Sequence, residues 1–145
     1  MSEDLHWSDA LDDVDWEELS AVYLAAPLGI KSGAHLRGVF TASRFRCFVR
    51  QGGRLVGAGR VLSDGADCAY ICDIALLPTH QGSGLGSPIV EHLVALSRGH
   101  RKIILYAVPG REGFYARFGF RRMKTAMAIF ADQEDAVARG YVEEG

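Results

Sequence analysis

The chain has 145 residues, 48% of them hydrophobic and 23% charged, with a formal net charge of −2. That length builds a single domain over 1–145 with a core of its own, and so balanced a charge gives no pull toward nucleic acid or an anionic membrane surface. No run reaches the roughly 18 apolar residues of a membrane span, and Glu3 and Asp4 with no apolar segment around them do not fit a secretory signal, so a cytoplasmic protein is expected.

Residues 1–14 are acidic apart from a short apolar patch, Leu5 to Trp7, which suits a strand at a sheet edge. Asp15-Trp16-Glu17-Glu18 has the spacing of a capping box and leads into Leu19, Val22, Tyr23 and Ala26, a helix that Pro27 and Gly29 end. A second helix is predicted over 36–43. Residues 44–50 then alternate, Gln51-Gly52-Gly53 turns the chain, and 54–62 returns as the other arm of a hairpin. Ser63-Asp64-Gly65 makes the next turn. Cys47, Cys68 and Cys72 all lie in such strand-like stretches, are odd in number and have no Cys-x-x-Cys spacing, which predicts free buried thiols and no metal site.

The stretch 71–77 is almost wholly apolar without a helical period, as a central strand covered on both faces would be. Asp73 alone interrupts it. A carboxylate there needs a structural donor or handles a proton or an amine, and the residues leave both open. Pro78 closes the strand, Gly82, Gly84 and Gly86 follow, and Leu85, Ile89, Leu93 and Leu96 recur on one helical face flanked by Val90 and Val94. Pro88 fits only the first turn, so the helix begins near Gly84. Its unpaired amides, from Gly82 to Ser87, then point into the glycine loop with the positive end of the helix dipole behind them, which makes an anion cradle in which some glycines need positive φ.

Residues 102–108 form another buried strand, parallel to the central one through the helical crossover. A short helix over 113–118 ended by Gly119, a final antiparallel strand over 120–130 and an acidic, weakly helical tail over 132–145 complete the chain. The fold class is α/β: a mixed, mostly antiparallel central sheet with helices on both faces, and a splayed parallel strand pair that opens a slot for an elongated ligand.

Two common phosphate-binding patterns do not fit the loop. Gly86 is followed by Ser87-Pro88 and not by Lys-Ser/Thr, and the third glycine comes too early for a dinucleotide fingerprint, whose later acidic residue is also missing. Gln81-Gly82-Ser83-Gly84-Leu85-Gly86 instead resembles the Gln/Arg-x-x-Gly-x-Gly/Ala signature of the GNAT superfamily of acyl-CoA-dependent N-acetyltransferases. Gly113-Phe114-Tyr115-Ala116-Arg117-Phe118-Gly119-Phe120 is similar to that family's later Phe-Tyr-x-x-x-Gly-Phe segment, at a similar separation, and the resemblance covers about 54–130.

The resemblance implies acetyl-CoA as acyl donor and no metal. It places the diphosphate on Gln81, Gly82, Ser83, Gly84, Leu85, Gly86 and Ser87, and the pantetheine arm along the strand edge at Ile74, Ala75 and Leu76. It makes Tyr115 the partner of the departing sulfur, beside Asp73 as the other catalytic candidate from the residues themselves, and sets Lys31, His35 and Arg37 near the acceptor wall. Ser87 stands where the family often has a basic residue, a deficit Arg117 could offset. Asp73-Ile74-Ala75 with the glycine loop and the later Lys102-Ile103-Ile104-Leu105 and Phe114-Tyr115 is similar to the glucosamine-6-phosphate N-acetyltransferase type, but Cys72 and Tyr106-Ala107-Val108-Pro109 depart from that branch's acidic positions.

The expected activity is acetyl transfer to a primary amine of a small molecule or peptide by direct attack in a ternary complex, since no cysteine falls in a matched catalytic position. The general base is unassigned; His80 lies in the loop and Glu112 has no predicted place. The alternative is a CoA-binding regulatory domain without turnover. Relatives of this kind are often homodimers, which extends the expectation to this chain.

Overall fold

The computed structural model describes residues 4–145, so Glu3 of the acidic N-terminal segment lies outside the described residues. Asp15 Oδ1 accepts the amides of Glu17 and Glu18 at 3.1 Å each and starts α1 (Trp16–Ala25). Ser32 opens α2 (Gly33–Ala42) in the same way, by accepting from the His35 amide at 3.1 Å. The strands are β1 (Leu5–Ser8), β2 (Phe45–Gln51), β3 (Arg54–Ser63), β4 (Cys68–Leu76) and β5 (Lys102–Ile104). They form a five-stranded sheet in the order β1-β2-β3-β4-β5, antiparallel until the last pair, β4 and β5, which is parallel. The crossover between that pair is α3 (Gly86–Ser97).

The chain divides into two compact units, one running through Leu105 and the other from Tyr106 onward. In the first unit, side-chain alternation along the strands fixes which helix covers which face. Phe48, opposite Ala58 in the β2–β3 ladder, packs its ring against Phe40 of α2 (5.2 Å) and Trp16 of α1 (6.2 Å). The neighbouring pair, Cys47 and Gly59, faces the other way, where a Cβ on Gly59 would come within 2.7 Å of Leu93 Cδ1 on α3. Helices therefore cover both faces. Tyr23, Leu36, Phe40 and Phe48 fill one layer and Ile89, Val90 and Leu93 belong to the other, all fully buried.

The second unit holds α4 (Glu112–Ala116) and α5 (Gln133–Ala138), the latter opened by Asp132. Tyr106, Phe130 and Tyr141 gather into one aromatic cluster with ring centroids 5.5–6.1 Å apart.

Two expectations change. The strand predicted over 120–130 does not form, because local partners hold both ends of the segment. Arg122 pairs with Glu112 at 3.0 Å, and the Phe130 amide donates to Gln133 Oε1 at 2.7 Å. Between them Met127 and Ile129 are 96% and 94% exposed, so no apolar face is covered that would reward a ladder. The strand predicted over 102–108 stops at Ile104, and Tyr106 and Val108, which the apolar run suggested were buried, are 58% and 42% exposed. No helix among the described residues is long and apolar enough to cross a membrane.

Candidate active site

The edge of β4 on which β5 pairs becomes open where β5 ends. β4 has nine residues, but β5 accompanies only Cys68, Ala69 and Tyr70, so beyond Tyr70 that edge of β4 has no strand beside it among the described residues of the first unit. The Leu77 amide donates to Val56 O on β3 at 2.8 Å. Backbone groups of successive strand residues point to opposite edges, so the amide of Leu76 points to the open one. Leu76 O agrees with this, since it accepts from the Gln81 side chain and not from β3.

Asp73 sits on a bulge at the middle of β4. The β3–β4 register shifts between Ala58 and Arg60, and Asp73 has φ +55°, a left-handed conformation that costs a non-glycine residue about 1 kcal/mol and that aspartate tolerates better than most. Its neighbours hold it there. Tyr23 O–H donates to Asp73 O at 2.6 Å, and Arg60 Nε donates to Asp73 Oδ2 at 2.7 Å. Arg60 also reaches Ser43 Oγ at 3.3 Å, and that hydroxyl donates in turn to Val39 O at 2.6 Å. Lys31 Nζ stands 3.9 Å from Asp73 Oδ1. Burial, with the Asp73 carboxylate as the next cause, holds the Tyr23 phenol well above its usual range.

Past β4, residues Pro78–His80 make a single 3₁₀ turn and the glycine loop follows. Gly82 and Gly84 have φ of +80° and +87°, the positive values expected, and a Cβ on either would meet nothing within 4 Å. Leu85 is the cap of α3, which sets Pro88 in its first turn. The amides of Gly82, Gly84, Leu85 and Gly86 meet no backbone acceptor among the described residues, whereas the Ser83 amide donates to His80 O at 3.3 Å. The Ser83 hydroxyl is turned onto the same carbonyl. These four amides lie at the positive end of a 12-residue helix.

The Gln81 side chain has partners within the protein. Its amide nitrogen donates to Leu76 O and Ala26 O, both at 2.9 Å, and so ties the loop to the end of β4 and to the cap of α1. His80 is similarly engaged, between Gln51 Oε1 (2.7 Å) and Thr79 Oγ1 (2.9 Å). Of the acceptor-wall candidates, Lys31 reaches Asp73, while His35 and Arg37 lie exposed on α2.

In the second unit Tyr115 lies on α4, half-buried, its ring 5.1 Å from Phe114 and 6.2 Å from Phe120. Burial raises its phenol above the ordinary value, against the smaller opposing effect of Arg111. Arg117, expected to help with phosphate, stacks its guanidinium over Phe114 (5.4 Å) and Phe118 (5.9 Å). Glu112 accepts from the Gly110 amide at 2.6 Å and pairs with Arg122. The three cysteines are free, and burial pushes the thiols of Cys47 and Cys72 up to about 12 and about 11.

Sequence reasoning found Asp73 but not Arg60 or Tyr23. For Arg60 the signal was there: it interrupts the apolar run of β3 as Asp73 interrupts that of β4, and two opposite charges in adjacent central strands seek each other. For Tyr23 it was not, because a tyrosine on an apolar helix face reads as core.

Comparison with known proteins adds the following. The family described as Acetyltransferase (GNAT) matches residues 8–120. Rice serotonin N-acetyltransferase 2 is 43% identical over 70 residues, 47% of this chain and 35% of that protein. Rice glucosamine 6-phosphate N-acetyltransferase 1 is 33% identical over 86 residues, 54% of this chain and 52% of that protein. The chain thus spans about half or less of the length of these curated relatives. In fold, a GNAT family acetyltransferase from Streptococcus pneumoniae superposes with a TM-score of 0.74 at 20% identity, over 90% of this chain and 98% of that one.

Proposed function

Because the chain belongs to the GNAT acetyltransferase family, we propose that it transfers the acetyl group of acetyl-CoA to a primary amine of a small molecule or peptide, by direct attack in a ternary complex. The observation that carries this reading is that a β4 edge left open beyond Tyr70 leads within a few residues to the amides of Gly82, Gly84, Leu85 and Gly86, which have no backbone acceptor among the described residues at the start of α3, a combination that suits an elongated, anionic thioester. The empty space over Gly82 and Gly84 suits a diphosphate lying against the backbone. On this reading 1–145 act as one domain, Ser83 and Ser87 border the phosphates, and Gln81 and Leu85 hold the loop in shape. Ile74, Ala75 and Leu76 flank the pantetheine by strand-like pairing.

The chemistry needs a neutral amine, a donor for charge developing on the acyl oxygen and a stabilised thiolate. An alkyl ammonium with a pKa of ~10.4 is only about 0.04% neutral at pH 7, so amine deprotonation limits the rate near neutrality. Asp73 seats the ammonium beside the open edge. The Leu76 amide faces that edge and serves the acyl oxygen. Tyr115 serves the sulfur: with a phenol near ~10 and a thiol near ~8.5, full proton transfer is uphill by about 2 kcal/mol even before burial raises the phenol further, so Tyr115 donates a hydrogen bond and keeps its proton.

The test is CoA release from acetyl-CoA over sugar phosphates, amino acids, polyamines and peptides, with calorimetry of CoA binding alongside. Amine-dependent release is expected. Binding of acetyl-CoA with no amine acetylated would replace the enzyme by a CoA-binding domain.

A further inference from the structure

We propose that the acceptor carries an acidic group, carboxylate or phosphate, close to its primary amine, and that Asp73 and Lys31 recognise the two charges as a pair. The proposal rests on the transferase reading of the β4 edge and names the substrate class that this edge receives.

The argument starts from which atoms around Asp73 are already engaged. Asp73 Oδ2 receives Arg60 Nε at 2.7 Å, and Arg60 is completed by Ser43. The other oxygen, Oδ1, faces Lys31 Nζ at 3.9 Å, beyond hydrogen-bond reach. Lys31 Nζ makes no hydrogen bond among the described residues, although its side chain is only 24% exposed. Ser20 Oγ on α1 donates to Lys31 O at 2.5 Å and holds the backbone of the α1–α2 connection from which this side chain extends toward Asp73. A half-sheltered ammonium with three donors and no hydrogen-bond acceptor is ready for an anion.

The charges do not cancel. Two cations, Arg60 and Lys31, surround one carboxylate. A polyamine seated with one ammonium on Asp73 would bring a further cation toward Lys31, whereas an amine with an adjacent acid sets its ammonium on Asp73 and its acid on Lys31 and adds no surplus positive charge. The gap between Asp73 Oδ1 and Lys31 Nζ lets one small zwitterion bridge them, its ammonium on the carboxylate and its acid on the lysine. Asp73 also immediately precedes Ile74, so an amine held there lies next to the edge where the acyl group is expected.

The experiment compares matched amines in the CoA-release assay: an α-amino acid against its amide, an aminoalkyl phosphate against the corresponding aminoalcohol, and spermidine. The wild-type chain and Lys31→Met are measured with each. Binding of the acid-bearing amines to the CoA complex is followed in parallel by calorimetry. In the wild type, kcat/KM is expected to favour an acid-bearing amine over its neutral partner at least tenfold. Lys31→Met should bring that ratio to about one, mainly through KM, with CoA affinity unchanged. The carboxylate and phosphate pairs separate the two possible anions. Equal use of neutral and acidic amines by the wild type, or a preference that survives Lys31→Met, overturns the proposal. If no amine is acetylated, the transferase reading falls, and Lys31-dependent binding of an acid-bearing amine would still uphold the charge pairing; without that binding both fall.

Discussion

Arg60 of β3 holds the Asp73 carboxylate at 2.7 Å across the bulge between β3 and β4, with the two side chains 13% and 21% exposed. Asparagine accepts the same left-handed backbone, so Asp73→Asn removes the charge without adding strain at φ +55°. It leaves the sheltered guanidinium poorly compensated. Since the pair is not fully buried, the expected cost lies between those of surface and buried pairs, about 2 kcal/mol, read as a lower urea midpoint. If Asp73 also seats the ammonium, kcat/KM for the preferred amine falls at least tenfold, with unchanged CoA affinity.

The pairing of these two residues also marks how far the sequence could be read. Period and turn chemistry were enough for the meander, the central strand and the crossover helix, because Gln51-Gly52-Gly53, Ser63-Asp64-Gly65 and the Ile89, Leu93 face act locally. The positive φ of Gly82 and Gly84 and the helix start just beyond them were legible for the same reason. Arg60 meeting Asp73 depends on a register shift between distant segments, and Gln81 bonding to Ala26 depends on a contact across 55 positions, neither of which any local pattern carries. The segment 120–130 failed in the opposite direction. Its residues favour a strand, but a strand exists only with a partner, and Glu112 and Gln133 supplied local ones instead.

Gly57 and Gly59 let α3 lie close on β3, and alanine at the two positions should separate two kinds of crowding. At Gly59 the added Cβ meets Leu93 Cδ1 at 2.7 Å, the end of a side chain that can rotate away. At Gly57 it meets Ile89 Cδ1 at 2.9 Å and the Ala75 carbonyl at 3.1 Å, and that carbonyl is backbone of the neighbouring strand β4. Gly57→Ala is therefore expected to cost about 1–3 kcal/mol and Gly59→Ala less, with the order read from thermal midpoints.

Tyr115→Phe keeps the ring packing against Phe114 and Phe120 and removes only the hydroxyl. For a hydrogen-bond donor to sulfur, kcat should fall about 10–100-fold with CoA affinity unchanged. The raised phenol also sets a sign. With its phenol raised above the ordinary value by burial, Tyr115 keeps its proton while the amine is still mostly ammonium, so the wild-type kcat/KM should climb nearly tenfold per pH unit from 6 to about 9, with no falling limb from Tyr115 in that range. A falling limb near pH 8–9 that disappears in Tyr115→Phe would contradict that role.

The thiols offer a check on burial. With Cys47 near 12 and Cys72 near 11, both held there chiefly by desolvation, almost no thiolate exists at either site at pH 8. In the native protein a disulfide reagent should therefore leave Cys47 and Cys72 unmodified over the time in which all three cysteines react in denaturant. Mass mapping of the labelled peptides reads the outcome.

Tyr23 contributes through the hydrogen bond from its hydroxyl to Asp73 O, so Tyr23→Phe should cost about 1 kcal/mol at pH 7. Alkaline pH then changes the comparison. The phenol's pKa is raised in the folded chain, which means the folded state keeps a proton that the unfolded state releases above pH ~10. The wild-type advantage is complete below that pH and shrinks above it, by up to about 1.4 kcal/mol per unit, until the folded phenol itself titrates. Urea midpoints of the two proteins should hence differ most near neutrality, converge about one unit above pH 10 and then cross. The remaining tyrosines titrate alike in both proteins, so the difference between the curves isolates Tyr23, and a constant gap from pH 7 to 11 would mean that its hydroxyl is not buried against Asp73.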